Sequence, residues 1–330
     1  MKKASAVLLV LVLTVSALTG CKKRETQPAP SAGPAAAKAP TGKVEGKIGI
    51  SVLTLTNPFF IDIVKAVEDE AKKNGFEAIV TSSEFDPAKQ RDQVKDFIVK
   101  KVNAIILTPA DSKAVGTAIK EANEAGIPVF TADIASLAED AKVVSHIATD
   151  NYAGGRQAAK AMMEALGNKG KVAVLDFPVV ESVILRTRGF EDELKESKSP
   201  IVIVGKWNGK GVKDEGFKVA QDILTAHKEL DGIFAINDPS ALGAYAALEK
   251  AGRAGKVVLI GFDGQLEGKK AILEGKIYAD PIQFPDLIGR TTVQTIMKYL
   301  DGAKVEPQIL IPPSLYHKAD AEKDPALSAK

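Results

Sequence analysis

From Lys47 onward the chain alternates between two hydrophobic patterns. Short runs, apolar at most consecutive positions, cover 47–53, 77–82, 104–107, 127–131, 143–147, 171–176, 201–207, 232–236, 257–262 and 276–283. Between most of them lie longer stretches whose apolar positions recur every three or four residues: 58–74, 87–100, 111–125, 152–166, 182–197, 212–227, 239–251, 266–274 and 285–301. The first pattern predicts strands buried on both faces and the second predicts amphipathic helices. Strands of that kind, separated by helices, form parallel sheets covered on both sides. The helix ends carry glycine at Asn74-Gly75, Ala125-Gly126, Ala251-Gly252 and Glu274-Gly275, where a left-handed residue closes the last turn.

The strands are too numerous for one sheet in a chain of this length, and an internal echo points to two. Segment 104–133 repeats the plan of 232–263: strand, Asp-containing turn, helix with an early glycine, Ala-Gly stop, strand, Asp. In that echo Gly116 matches Gly243, Asp111 matches Asp238 and Asp133 matches Asp263. Two lobes of similar α/β plan are expected, each about 120–150 residues.

The first residues follow a different rule. Met1-Lys2-Lys3 and the apolar stretch 6–18 read as a signal peptide over 1–20, because the stretch is too short to span a bilayer comfortably. It runs into Leu18-Thr19-Gly20-Cys21, which resembles a bacterial lipobox. Cys21, the only cysteine, is therefore the expected lipidation site, and the mature protein is expected to be extracytoplasmic and lipid-anchored to a membrane. Residues 21–46, rich in Pro, Ala and Lys without an apolar period, read as a flexible linker.

Composition narrows the chemistry. A net charge of +2 gives no electrostatic case for a nucleic-acid partner. One cysteine allows no internal disulfide, and His146, His227 and His317 do not pair at ligand spacing, so no metal site and no cofactor is expected. His146, on an apolar strand, reads as a core histidine.

In open α/β sheets, ligands bind outside the carboxyl ends of the strands. The residues found there are Asn57, Phe59 and Phe60, then Asp133, Trp207, Asn237, Asp238, Asp263 and Gln283, with Arg186 near the start of a helix. Acids, amides and arginine can satisfy a ring of hydroxyls, each of which donates and accepts, and aromatic faces pack on the C–H faces of a sugar. Hydrogen bonds to charged groups contribute about 1.5–3 kcal/mol each, so Asp133, Asp263 and Arg186 would carry much of the specificity. The set holds no nucleophile beside a base, and no phosphate-binding glycine motif is present. Asp111 and Asp238 directly precede helices and read as caps. The pattern leaves Asp133 and Asp263 open between turn and site, and Trp207 open between packing and site.

Residues 54–60 (TLTNPFF) with the helix after them, 106–129, 143–155, 223–227, 234–238, 241–248, 257–264 and 282–289 together resemble the periplasmic ribose-binding protein family, sugar receptors of ABC transporters. The resemblance covers nearly all of 47–312. It implies the type I periplasmic binding protein fold, α/β with two Rossmann-like lobes, parallel sheets covered by helices on both faces, and three hinge crossovers near Thr149, Gln283 and Ile311. The lobes would be 47–149 plus 284–312 and 150–283 plus 313–321, with 322–330 a tail. It implies a non-enzymatic monomer that closes on a sugar and delivers it to a membrane permease.

By the same resemblance, Asn57, Phe59 and Phe60 belong to the first binding loop, and Asp133 and Arg186 match the acid and arginine of the family site. Trp207 would be its stacking aromatic, and Asn237, Asp263 and Gln283 its remaining amide, acid and amide. Two positions depart. Ribose binders have Asp-Arg where this chain has Asp133-Ile134, and a serine where it has Leu53. If Ile134 and Leu53 face the ligand, a donor fork and a hydroxyl are replaced by apolar groups, and the expected ligand is another pentose or hexose, a deoxy sugar or a polyol. The alternatives are a receptor for a chemoreceptor or kinase, a sugar-processing enzyme, and a transcription regulator, the last disfavoured by the export signal.

Overall fold

The computed structural model describes residues 46–328. The expected signal peptide, Cys21, nearly all of the linker and the last two residues lie outside them. In chain order the first elements are β1 (Gly46–Val52), α1 (Pro58–Lys73), β2 (Phe76–Ser82), α2 (Pro87–Val99), β3 (Ala104–Leu107), α3 (Gly116–Glu124), β4 (Val129–Ala132) and β5 (Ser145–Thr149). There follow α4 (Asn151–Ala165), β6 (Lys171–Asp176), α5 (Glu181–Glu196), β7 (Val202–Asn208), α6 (Lys213–Ala226), β8 (Gly232–Ala235), α7 (Asp238–Lys250), β9 (Val258–Ile260), α8 (Leu266–Leu273) and β10 (Ala279–Ile282). The chain ends with α9 (Pro285–Leu300), β11 (Gln308–Ile311), β12 (Ser314–His317), α10 (Lys318–Ala321) and α11 (Pro325–Ser328).

These strands make two six-stranded sheets, in the orders β11-β5-β4-β3-β1-β2 and β12-β10-β9-β8-β6-β7. Apart from β12, which runs antiparallel to β10, the pairings are parallel. The runs β5-β4-β3-β1-β2 and β10-β9-β8-β6-β7 correspond strand for strand, which is the physical form of the sequence echo. In each sheet the order reverses once, between β1 and β3 and between β6 and β8, and the crevice at such a reversal is where this architecture holds a ligand. The central strands are fully buried, as runs such as AIIL and GIFA require.

The chain passes from one sheet to the other three times: after β5, after β10, and between β11 and β12. Helix α9 follows the second passage and packs back on α1, where Gly289 lets the helices approach to within van der Waals distance of the Ile63 carbonyl. The pattern named no strand beyond 283, yet β11 and β12 are edge strands flanked by Pro307, Pro312 and Pro313. They are short and only partly buried, so they lack the continuous apolar signature of the inner strands.

Two caps differ from expectation in detail. Asp111 caps a turn before α3, its Oδ1 accepting the N–H groups of Lys113 and Ala114 (both 2.8 Å), so the helix begins at Gly116. Asp238 does not cap α7. Asn237 does, its Oδ1 accepting the Ser240 N–H at 3.0 Å, and this frees Asp238 to turn inward. His146 is buried with its Nδ1 2.8 Å from the Thr131 hydroxyl, and burial pulls its pKa down to about 4, so it is a neutral core residue.

Helices α4 and α5 cross closely because both carry glycine at the contact. A β-carbon on Gly155 would strike the Arg186 carbonyl, and one on Gly189 would strike the Tyr152 carbonyl. Since α5 carries Arg186, this crossing also sets where that guanidinium lies. Gly155→Ala should lower the urea unfolding free energy by about 1–3 kcal/mol, the usual cost of overpacking. An unchanged unfolding midpoint would contradict the crossing described.

Candidate ligand-binding site

The carboxyl ends of the two sheets face each other across a narrow cavity lined from both sides. From the first sheet, β1 ends in Leu53 and Thr54, and the next turn places Asn57, Phe59 and Phe60 in the wall. Asn57 caps α1 by accepting the Phe59 N–H at 3.0 Å, and Pro58 occupies the first helical position, where no N–H is needed. Phe59 and Phe60 meet edge to face at 5.4 Å; both are buried in the core and both line the cavity. Asp133 and Ile134 follow β4 in the same wall.

The second sheet contributes Arg186, Asn237, Asp263 and Gln283. Arg186 is buried and fully directed. Its Nε donates to Asn151 Oδ1 (2.7 Å), its Nη1 to the Ile236 carbonyl (2.8 Å) and to Asp263 Oδ1 (3.3 Å), and its Cζ lies over the Phe262 ring, 3.9 Å from the centroid. Gln283 donates its Nε2 to the same Asp263 oxygen at 2.7 Å. Asn237 is committed on both sides, donating Nδ2 to the Gly211 carbonyl at 2.9 Å as well as capping α7.

Among the residues that line the cavity, two buried acceptors have no hydrogen-bond partner: Asp133 Oδ1 and Gln283 Oε1. Asp133 is the more costly. Burial raises its pKa to about 7; Arg186 opposes that shift, and Asp263 and Glu181 add to it. Asp263 is also raised, mainly by burial, but Arg186 and Gln283 hold it back. Beneath it, Asp238 and Asp280 lie buried side by side. Burial and the Asp280 carboxylate push Asp238 well up, because two buried carboxyls this close resist ionising together. Asp238 also accepts the Gln265 N–H at 2.7 Å.

A family model described as "Periplasmic binding protein domain" matches residues 48–304. The chain is 36% identical over 313 residues to the ribose import binding protein RbsB of Bacillus subtilis, covering 94% of this chain and 98% of that protein. Among solved structures, a solute-binding protein of an ABC transporter from Agrobacterium vitis with bound D-fucose superimposes with a TM-score of 0.79 at 33% identity, covering 86% of this chain and 99% of that one. Another, from Actinobacillus succinogenes with bound D-allose, gives 0.79 at 30% identity over 85% and 100%.

The chain belongs to the ribose-binding-like periplasmic binding protein family. Of the residues the sequence nominated on the family pattern, Asn57, Phe59, Phe60, Asp133, Ile134, Arg186, Asn237, Asp263 and Gln283 come together around the cavity. Trp207 does not. It sits on the outermost strand β7, its ring over Gly205, edge-on to His227 at 5.5 Å and packed with the apolar cluster beneath α6 and α7. It is absent from the cavity lining, so the structure does not bring it to the stacking position expected.

Both departures from the family's ribose pattern, Leu53 and Ile134, are in the wall. Phe85 and Phe177 are there too, and the sequence reading passed over both. Each follows a strand end, Phe85 after β2 and Phe177 immediately after β6, so the strand-end rule applied to every strand would have found them. Val180, Ser182 and Val183 at the start of α5 complete that side.

The unpartnered acid gives a pH prediction for the sugar-free periplasmic binding protein. Asp133 binds its proton more tightly folded, with a pKa of about 7, than unfolded, at about 3.9, so the folded state holds more protons between those values. Stability therefore rises as pH falls from about 8 towards 5, and Asp263 and Asp280 add to the slope in the same sense. Melting temperatures across that range should show the rise, and Asp133→Asn should be more stable than the parent above pH 7 with a shallower slope. Identical profiles would remove Asp133 as the source.

Proposed function

We propose that this protein is an extracytoplasmic solute-binding receptor that takes one monosaccharide into the cleft between its sheets and hands it to an ABC transporter permease. The observation that carries the reading is the pair of facing strand-end sets, with two acids, one arginine and three amides beside aromatic rings around one cavity. Asp133 Oδ1 and Gln283 Oε1 are orphaned acceptors in that cavity, and ligand hydroxyls would complete them. Relatives that import ribose, and solved structures holding D-fucose and D-allose, support a sugar as the solute class. They also support a binding role rather than a catalytic one.

The lobes of this reading are 47–149 plus 284–312 and 150–283 plus 313–321, hinged at the three passages between the sheets. A sugar bonded to Asp133 from one lobe and to Arg186, Asp263 and Gln283 from the other gains its full set of contacts only when the lobes meet. It therefore shifts the population towards the closed form by its differential affinity. A micromolar dissociation constant needs only about −8 kcal/mol net. Lipid attachment at Cys21 would keep the receptor near its permease. Leu53 and Ile134 leave fewer polar partners than the ribose pattern supplies, which favours a sugar other than ribose, because an unpaired buried hydroxyl costs about 1–3 kcal/mol.

Calorimetry against D-ribose, D-allose, D-fucose, D-apiose and myo-inositol tests the reading; heat-silent titrations with all sugars and polyols tried would overturn it. For whichever sugar binds, Asp263→Asn should weaken affinity at least tenfold, and Trp207→Phe should change it less than twofold. The reverse ranking would mean that the site lies elsewhere.

A further inference from the structure

The wall between the cavity and the surface groove beside it is aromatic. Phe85 and Phe177 line the cavity on one side and, on the other, an outer groove lined also by Ala110, Asp111 and Val179. Their rings meet edge to face, with centroids 6.4 Å apart and planes at 70°. One ring comes from the first sheet and the other from the second, so the pair bridges the cleft. Lys210 is the other residue shared by the two spaces, and its ammonium faces Glu215 at 3.9 Å on the solvent side.

Phe85 is held there against backbone preference. Glu84 and Phe85 both have left-handed backbones, with φ of 53° and 64°. For L-residues that conformation costs about 1–2 kcal/mol each, and for a bulky residue it is a genuine outlier. The loop is pinned to the end of β1: the Ser83 N–H donates to the Val52 carbonyl (2.9 Å), the Phe85 N–H to the Leu53 carbonyl (3.0 Å), and the Asp86 N–H to the Ser83 carbonyl (3.1 Å). Glycine or asparagine would hold this backbone at lower cost, so the turn does not call for a phenyl ring. The ring is half-buried, facing the cavity, the groove and Phe177.

Phe177 is fixed from its own side. Its N–H donates to Asp176 Oδ1 at 2.9 Å, and Asp176 is in turn held by the Thr187 hydroxyl at 2.9 Å. The segment after it is bonded across the cleft: the Ser112 N–H donates to the Val179 carbonyl (3.0 Å) and the Glu181 N–H to Ser112 Oγ (2.9 Å). The two rings therefore come together whenever these cross-cleft bonds form. A substituent on a bound sugar that pointed to this side would have to pass between them.

We propose that Phe85, closing on Phe177, is the size-selecting residue of the site, so that the cavity accepts a free monosaccharide and rejects its glycosides. This rests on the sugar-binding reading above. The test is calorimetric titration of D-ribose, D-allose and D-fucose, each beside its methyl and 4-nitrophenyl β-glycosides, into the unaltered protein, Phe85→Asn and Phe177→Ala. Asparagine keeps the left-handed backbone, and Phe177→Ala opens the same gate from the opposite sheet should the first variant fold poorly. The readout is the ratio of free-sugar to glycoside affinity, which a general loss of affinity does not move. The unaltered protein should prefer the free sugar at least 100-fold, and each variant should cut that preference at least tenfold. Equal binding of sugar and glycoside by the unaltered protein, or an undiminished ratio in both variants, would overturn the gate while leaving sugar binding intact. Failure of all three free sugars, and of the wider panel, would overturn the sugar-binding reading and the gate with it.

Discussion

Among the described residues Arg186 is the one buried cation in the cleft wall, and the surrounding structure is arranged to hold it. Its guanidinium ties α5 to α4 through Asn151, to the end of β8 through the Ile236 carbonyl, and to Asp263 after β9. Breaking a buried pair of this kind by removing one partner costs about 3–5 kcal/mol, far more than an exposed ion pair contributes. Asp263 also accepts from Gln283, the residue at the second passage between the sheets. The arginine therefore connects the floor of the site to a hinge position, and the glycine crossing of α4 and α5 fixes its height.

One arginine cannot serve two acids equally. Asp263 is bonded to it and Asp133 is not, and Asp133 carries the larger consequence of burial. Where the ribose pattern places an arginine beside that acid, this chain has Ile134. Asp133 is left to be neutralised by a proton or satisfied by a ligand's donors. Both acids also have left-handed backbones, with φ of 64° at Asp133 and 106° at Asp263. Strain at matching positions of both lobes is what a site shaped for a ligand, rather than for stability alone, would retain.

Much of this was legible in the sequence because the inner strands are short and apolar on both faces, and the strand-end rule then picks out the site. Asn57, Asp133, Asp263 and Gln283 were found that way. What escaped has physical causes. Trp207 stands near a strand end, but it still lies within β7 and packs on the apolar cluster of the second sheet. Asp238 looks like a cap, yet Asn237 one residue earlier takes that role. Strands β11 and β12 are partly exposed edges broken by proline, without a buried-strand signature. The aromatic gate depends on a loop conformation at Glu84 and Phe85 that no hydrophobic pattern encodes, and on a partner ring more than ninety residues away.

The account stands on the claim that a sugar completes the hydrogen bonding of this cleft. A crystal structure of the protein grown with the sugar that binds it most tightly tests that claim directly. The ring should lie between the two sheets with one hydroxyl within hydrogen-bond distance of Asp133 Oδ1 and another within reach of Gln283 Oε1. A sugar seated outside the cleft, or one within it that leaves both of those oxygens without a partner, would contradict the account.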